Sequence, residues 1–175
     1  MKDAKKLRLT IQNITKIAIL SAMCVVLRYA FSALPNIQPI TALFMILVGF
    51  ESLWLAFLVM ALSMLISSFL LGFGPWVFFQ IFSFGVILFI WKILLIKKWN
   101  IYYLSFFSAI LAFLYGMIID SVMAVFFKMP WWSYVLAGLP FNLNHALSTL
   151  LFYPILERIL RRFYYEESFK TNRTC

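Results

Sequence analysis

Hydrophobic positions dominate the chain in long runs, and the interruptions between them are proline, glycine or clustered charge. A helix needs about 20 apolar residues to cross the hydrocarbon core of a bilayer. The run 14–34 has that length and stops at Pro35. The next, 39–50, starts at Pro39 and is broken by Glu51 and Ser52. It is too short to cross unaided, so it is expected to be tucked in or to borrow length from the loop before it. Run 53–73 closes on Gly72-Phe73-Gly74-Pro75, and 76–96 closes on Lys97-Lys98. Run 101–127 ends at Lys128-Met129-Pro130, and 134–160 ends at Arg161-Arg162. The pattern predicts an all-α integral membrane protein: six transmembrane helices in a single membrane domain, 1–175, with both termini on one side.

Basic residues orient such a bundle, because they favour the cytoplasmic side. Lys2, Lys5, Lys6, Arg8, Lys97, Lys98, Arg158, Arg161 and Arg162 all fall on one side if the N-terminus is inside. The N- and C-termini are therefore expected in the cytoplasm. The opposite face holds the Pro35, Pro75 and Pro130 loops, with Lys128 as its loop cation. Trp76, Trp131 and Trp132 stand there as interfacial anchors.

Composition agrees with the pattern. Hydrophobic residues make up 65% of the chain and charged residues 12%, too few charges to cover a soluble exterior. The net charge of +9 would suit nucleic acid, but the cations flank apolar runs, so no nucleic-acid partner is expected. The two cysteines, Cys24 in an apolar run and Cys175 at the terminus, suggest neither a disulfide framework nor a metal site. The long first run lacks a small-residue cleavage pattern and reads as a retained span, not a removed signal peptide. The sequence carries no P-loop, and so no nucleotide-hydrolysing machinery of its own.

Polar residues within the runs are costly and mark sites or partners. Arg28 lies about 9 Å from the outer end of the first span, at about 1.5 Å per residue, and Asp120 lies at a similar depth in the fifth. Asn142, Asn144 and His145 fall about 12 to 17 Å from the outer end of the sixth. Gln80, Asn36 and Gln38 are expected to be shallower on the same side. Polar groups from five segments thus converge on the outer half of the membrane. A plainer reading stays open for each. Arg28 and Asp120 can be an ion pair that fixes helix packing. His145 can be a satisfied interior histidine, and Asn142 and Asn144 interhelical glue. On the first span Ala18 and Ala22 form a small-xxx-small patch, suited to close approach of another helix, within the chain or outside it.

With these elements in hand, the chain resembles the substrate-binding S components of energy-coupling factor (ECF) vitamin transporters. The resemblance covers nearly the whole length and rests on "ALPNIQPITAL" after the first span, "GFGPWVFFQIFSFG" entering the fourth, and "GLPFNLNHALSTLLFYPILERIL" in the sixth. The cobalamin-type members are the most similar. The resemblance implies the S-component fold and a vitamin, cobalamin, bound near the extracellular face as transported substrate. No cofactor is implied as a permanent resident. It implies partnership with the transmembrane coupling protein EcfT, and with two cytoplasmic ATPases, EcfA and its paralogue. ATP hydrolysis by those partners would topple the S component within the lipid of a bacterial cytoplasmic membrane. The chain itself would then be no enzyme and have no catalytic residues. Ala18 and Ala22 match the family's patch that meets the coupling protein.

The choice of vitamin turns on Arg28. A corrinoid would use amide partners such as Asn36, Gln38, Gln80, Asn142 and Asn144, with His145 near the cobalt. A small anionic ligand of the pantothenate type would use Arg28 instead, if Asp120 does not neutralise it; pyridoxine and pyrimidine types are further alternatives. Rival classes are a membrane scaffold of the MreD kind, an intramembrane enzyme built on Asp120 and His145, and a stand-alone secondary transporter. The second lacks any H-E-x-x-H or G-x-S-x-G element, and the third lacks visible inverted repeats.

Overall fold

The structure, a computed structural model, describes residues 11–95 and 99–171, the side chains of 165–171 excepted. Lys2, Lys5, Lys6, Arg8, Lys97, Lys98 and Cys175, used above for orientation and cysteine chemistry, lie outside the described residues. Six helices follow in order: α1 (Ile11–Ala30), α2 (Ile40–Phe50), α3 (Leu53–Leu71), α4 (Trp76–Leu94), α5 (Ile101–Phe126) and α6 (Trp131–Thr171). All but α2 are long and apolar enough to cross a membrane. This is the architecture of a multi-pass membrane protein. Its outer surface carries the large apolar side chains that a soluble protein would hide, among them Phe69, Phe78, Phe82 and Trp132.

Local chemistry sets the boundaries. The Ser52 side chain caps α3 by accepting from the Leu55 amide at 3.1 Å. Gly72, at φ 114°, turns the chain out of α3 in a conformation that an L side chain resists. Pro39 and Pro75 stand at the N-caps of α2 and α4. Several boundaries differ from expectation, the sixth helix running past 160 to Thr171, and two of the differences have a local cause. The first helix ends at Ala30, not 34, because residues 31–34 tighten into turns (Ser32 N donates to Tyr29 O, Leu34 N to Phe31 O) ahead of Pro35. The sixth starts at Trp131, not 134, because Pro130 suits a helix start and its carbonyl accepts from Tyr134 N at 3.1 Å.

Pro140 and Pro154 lie inside α6 without ending it. A proline removes the N–H that its i−4 carbonyl would have received. For Pro154 that carbonyl belongs to Leu150, and Ser105 Oγ of α5 donates to it at 2.6 Å. A neighbouring hydroxyl thus re-satisfies the freed backbone group, as an apolar surrounding demands.

The short helix is the hub. At 11 residues α2 is about 16 Å long, roughly half the hydrocarbon thickness. Residues Ile40 to Val48 are all buried, and α2 packs against each of the other five helices. Trp91 of α4, fully buried, donates its indole N–H to Met45 O at 2.8 Å. The non-helical segment 31–39 leads into α2 and is hydrogen-bonded to α6 through Asn36, Gln38 and Asn144. At the far end Glu51 accepts from Lys16 Nζ at 2.8 Å and from Tyr164 Oη at 2.6 Å. The start of α1 and the later part of α6 therefore meet at one end of the bundle.

The face of α1 that packs on α3 carries Ile17, Ser21 and Cys24. Ala18 and Ala22 are exposed on another face. Packing among the described residues, one of the two readings left open for that pair, does not use them.

Candidate functional site

Above the N-terminus of α2 the polar side chains of several helices turn inward around a small cavity of about 60 Å³. Five of the residues picked from sequence line it: Arg28, Asn36, Gln38, Gln80 and His145. Thr41, Met64, Phe84 and Tyr115 complete most of the wall. Arg28 sits in the last turn of α1, where a cation complements the helix dipole, and its Nη1 donates to Ser67 Oγ of α3 at 2.6 Å. His145 is buried and its Nε2 lies 2.7 Å from Thr41 Oγ1. Phe84 and Tyr115 stack with centroids 3.9 Å apart, and Tyr115 meets the His145 ring edge-on.

Two buried polar atoms of this wall, Gln80 Oε1 and His145 Nδ1, have no hydrogen-bond partner among the described residues. Such atoms are costly to leave unsatisfied. Among the described residues no carboxylate lines the cavity.

Segment 31–39 closes one side. Asn36, at φ 61°, reverses the chain and donates from Nδ2 to Phe141 O at 3.1 Å. Gln38 exchanges two bonds with Ser148: its N–H donates to Oγ at 2.9 Å, and Oγ donates to its carbonyl at 3.0 Å. Asn144 Nδ2 reaches Pro35 O at 3.4 Å. Asn144 therefore anchors the segment from outside and does not line the cavity. The expectation that Gln38 is shallower than the α6 asparagines is corrected: Ser148, its partner, lies further along α6 from Trp131 than Asn142 or Asn144. The segment is not helical, so a helical rise per residue mismeasured it.

Asp120 and Asn142 stand apart. Asn142 Nδ2 donates to Asp120 Oδ2 at 2.7 Å, across the extensive α5–α6 contact. Two glycines make room: a Cβ at Gly116 would collide with the Asn142 amide, and one at Gly138 with the Asp120 carboxylate. The ion pair of Arg28 with Asp120, left open by the sequence, is not formed. Among the described residues the ion pairs are Lys16–Glu51 and Arg161–Glu157. Similar depth on two helices does not make two side chains face each other, and here Arg28 faces α3 while Asp120 faces α6.

Sequence reasoning passed over Thr41, Ser67, Tyr115 and Ser148. Ser148 was findable, since it follows His145 by one helical turn and shares its face. Ser63 and Ser67 likewise repeat on one face of α3. Among the described residues no three His, Cys, Asp or Glu side chains gather as a metal site requires. Larger concavities exist, of about 780 Å³ beside Phe57, Phe82 and Gly85, and about 330 Å³ beside Phe106 and Leu147. Their walls are apolar and offer no recognition chemistry.

Comparison with family models, with curated proteins and with solved structures returns no match for this chain.

Proposed function

We propose that this chain is the substrate-binding S component of an ECF-type vitamin transporter, and that the cavity above α2 is its ligand site. The observation that carries the reading is the meeting of five sequence-picked polar residues around one cavity, two of them with buried atoms awaiting a partner. A scaffold of the MreD kind has no use for such atoms. Segment 31–39, held to α6 by side-chain hydrogen bonds, is the wall that yields to admit ligand. The chain lies in a bacterial cytoplasmic membrane with both termini inside and the cavity toward the exterior. EcfT docks on the α1 face that carries the exposed Ala18 and Ala22, and EcfA and its paralogue supply ATP hydrolysis. Toppling in lipid suits a body whose circumference is apolar.

Between the candidate ligands, a small vitamin of the pantothenate type has more support than cobalamin. Arg28 has no carboxylate partner among the described residues, which suits an anionic ligand better than a neutral, amide-rich one. The test is to purify the protein from cells grown on a vitamin mixture and identify the retained molecule by mass spectrometry, with calorimetry to follow. Repeated purification with no small molecule, and no calorimetric binding, would sink the proposal. For the partner face, Ala18→Trp and Ala22→Trp are expected to abolish uptake in cells while leaving ligand binding intact. Uptake that survives both places the coupling protein elsewhere.

A further inference from the structure

The cavity has a polarity that its side chains alone do not reveal. Helix α2 starts at its floor, with Ile40 and Thr41 in the wall. Pro39 at the N-cap provides no side-chain hydrogen bond, and the Pro39 carbonyl first accepts from Leu43 N, at 3.2 Å. The amides of the first turn therefore precede the helix's own hydrogen-bond ladder. An uncapped helix start of this kind carries a partial positive charge and unspent N–H donors, and favours an anion. The Arg28 guanidinium lines the same cavity, with one of its five N–H donors given to Ser67. Cation and helix end thus act on one volume, which no carboxylate among the described residues lines.

The wall also asks for something else. Gln80 Oε1 is an acceptor without a donor. His145 Nδ1 needs a donor or an acceptor according to its tautomer, since Nε2 is engaged with Thr41. A hydroxyl serves it in either case.

We propose that the ligand is a compact monocarboxylic acid bearing an N–H, its carboxylate held between Arg28 and the start of α2 and its N–H donated to Gln80 Oε1. One guanidinium and one helix end match a single negative charge better than the −1.5 to −2 of a phosphate monoester. A volume of about 60 Å³ holds roughly four waters, the room of a carboxylate and its first carbons. The rest of the ligand occupies space opened by segment 31–39. This inference rests on the reading of the chain as a binding subunit.

The experiment uses purified full-length protein in detergent, with calorimetry and thermal shift. The probes are two acids with an N–H and their neutral counterparts, pantothenate against pantothenol and biotin against biotinamide, together with hydroxocobalamin. At least one acid is expected to bind, with its neutral counterpart about 100-fold weaker. Arg28→Gln is expected to cost that acid about 100-fold, Arg28→Lys clearly less, and Gln80→Met about tenfold. If Arg28→Gln fails to fold, the acid and neutral pair on the unaltered protein decides. Equal binding of acid and neutral forms, hydroxocobalamin as sole ligand, or a retained molecule without an acid group overturns the proposed ligand class and leaves the binding subunit standing. Failure of every probe, with nothing retained on purification, overturns both.

Discussion

Replacing Gly138 by alanine puts a methyl group where the Asp120 carboxylate lies. The carboxylate must swing away, and Asn142, only 3% exposed, loses its partner. Overpacking of this kind costs about 1–3 kcal/mol. Side-chain hydrogen bonds between membrane helices are worth about 0.6 kcal/mol on average and up to about 1.7. Alanine returns about 1 kcal/mol relative to glycine inside a helix. The balance is a loss of about 1–3 kcal/mol, or a midpoint lower by about 2–12 °C for a chain of this size. The control is the same substitution on an Asp120→Ala background. The obstacle is then gone, and Gly138→Ala is expected to be neutral or stabilising by up to about 1 kcal/mol. Thermal unfolding in detergent, followed by tryptophan fluorescence, measures both. A similar fall on the two backgrounds would refute the reasoning, because something other than the carboxylate would then fill the space beside Gly138.

Further outcomes test other contacts. Ser148→Ala removes both bonds to the Gln38 backbone, about 1–3 kcal/mol in all, and amide exchange across 31–39 is expected to accelerate about fivefold or more. Unchanged exchange there would mean that other contacts hold the segment. Glu51→Gln keeps acceptors for Lys16 and Tyr164 and loses only a partly exposed ion pair, so the unfolding midpoint is expected to fall by less than about 4 °C. Glu51→Ala is expected to cost clearly more; equal effects would mean that charge alone matters at that end.

Much of the fold was legible because proline, glycine and serine act locally. Pro39, Ser52, Gly72 and Pro75 each mark a helix boundary by their own backbone or side-chain chemistry, and the boundaries fall there. The shortness of α2 could be read as well. Its place at the centre could not, because a run apolar on all sides looks alike in lipid and in a protein interior. The site was half legible for a related reason. Sequence spacing reports distance along a helix axis but not the rotation of one helix against another. It brought Asp120 level with Arg28 and could not tell that they face different neighbours. Gln38 escaped the same ruler because its backbone is not helical. Thr41 and Tyr115 went unnoticed because one hydroxyl in an apolar run carries no signal until His145 and Arg28 are placed beside it.

The bond from Ser105 to the Leu150 carbonyl has an evolutionary consequence. A residue with an N–H at position 154 would close that carbonyl within α6 and leave the serine redundant. Conversely, an apolar residue at 105 would strand the carbonyl unless the proline went too. Among descendants of this sequence the two positions are therefore expected to change together: proline opposite a small hydroxyl, or neither.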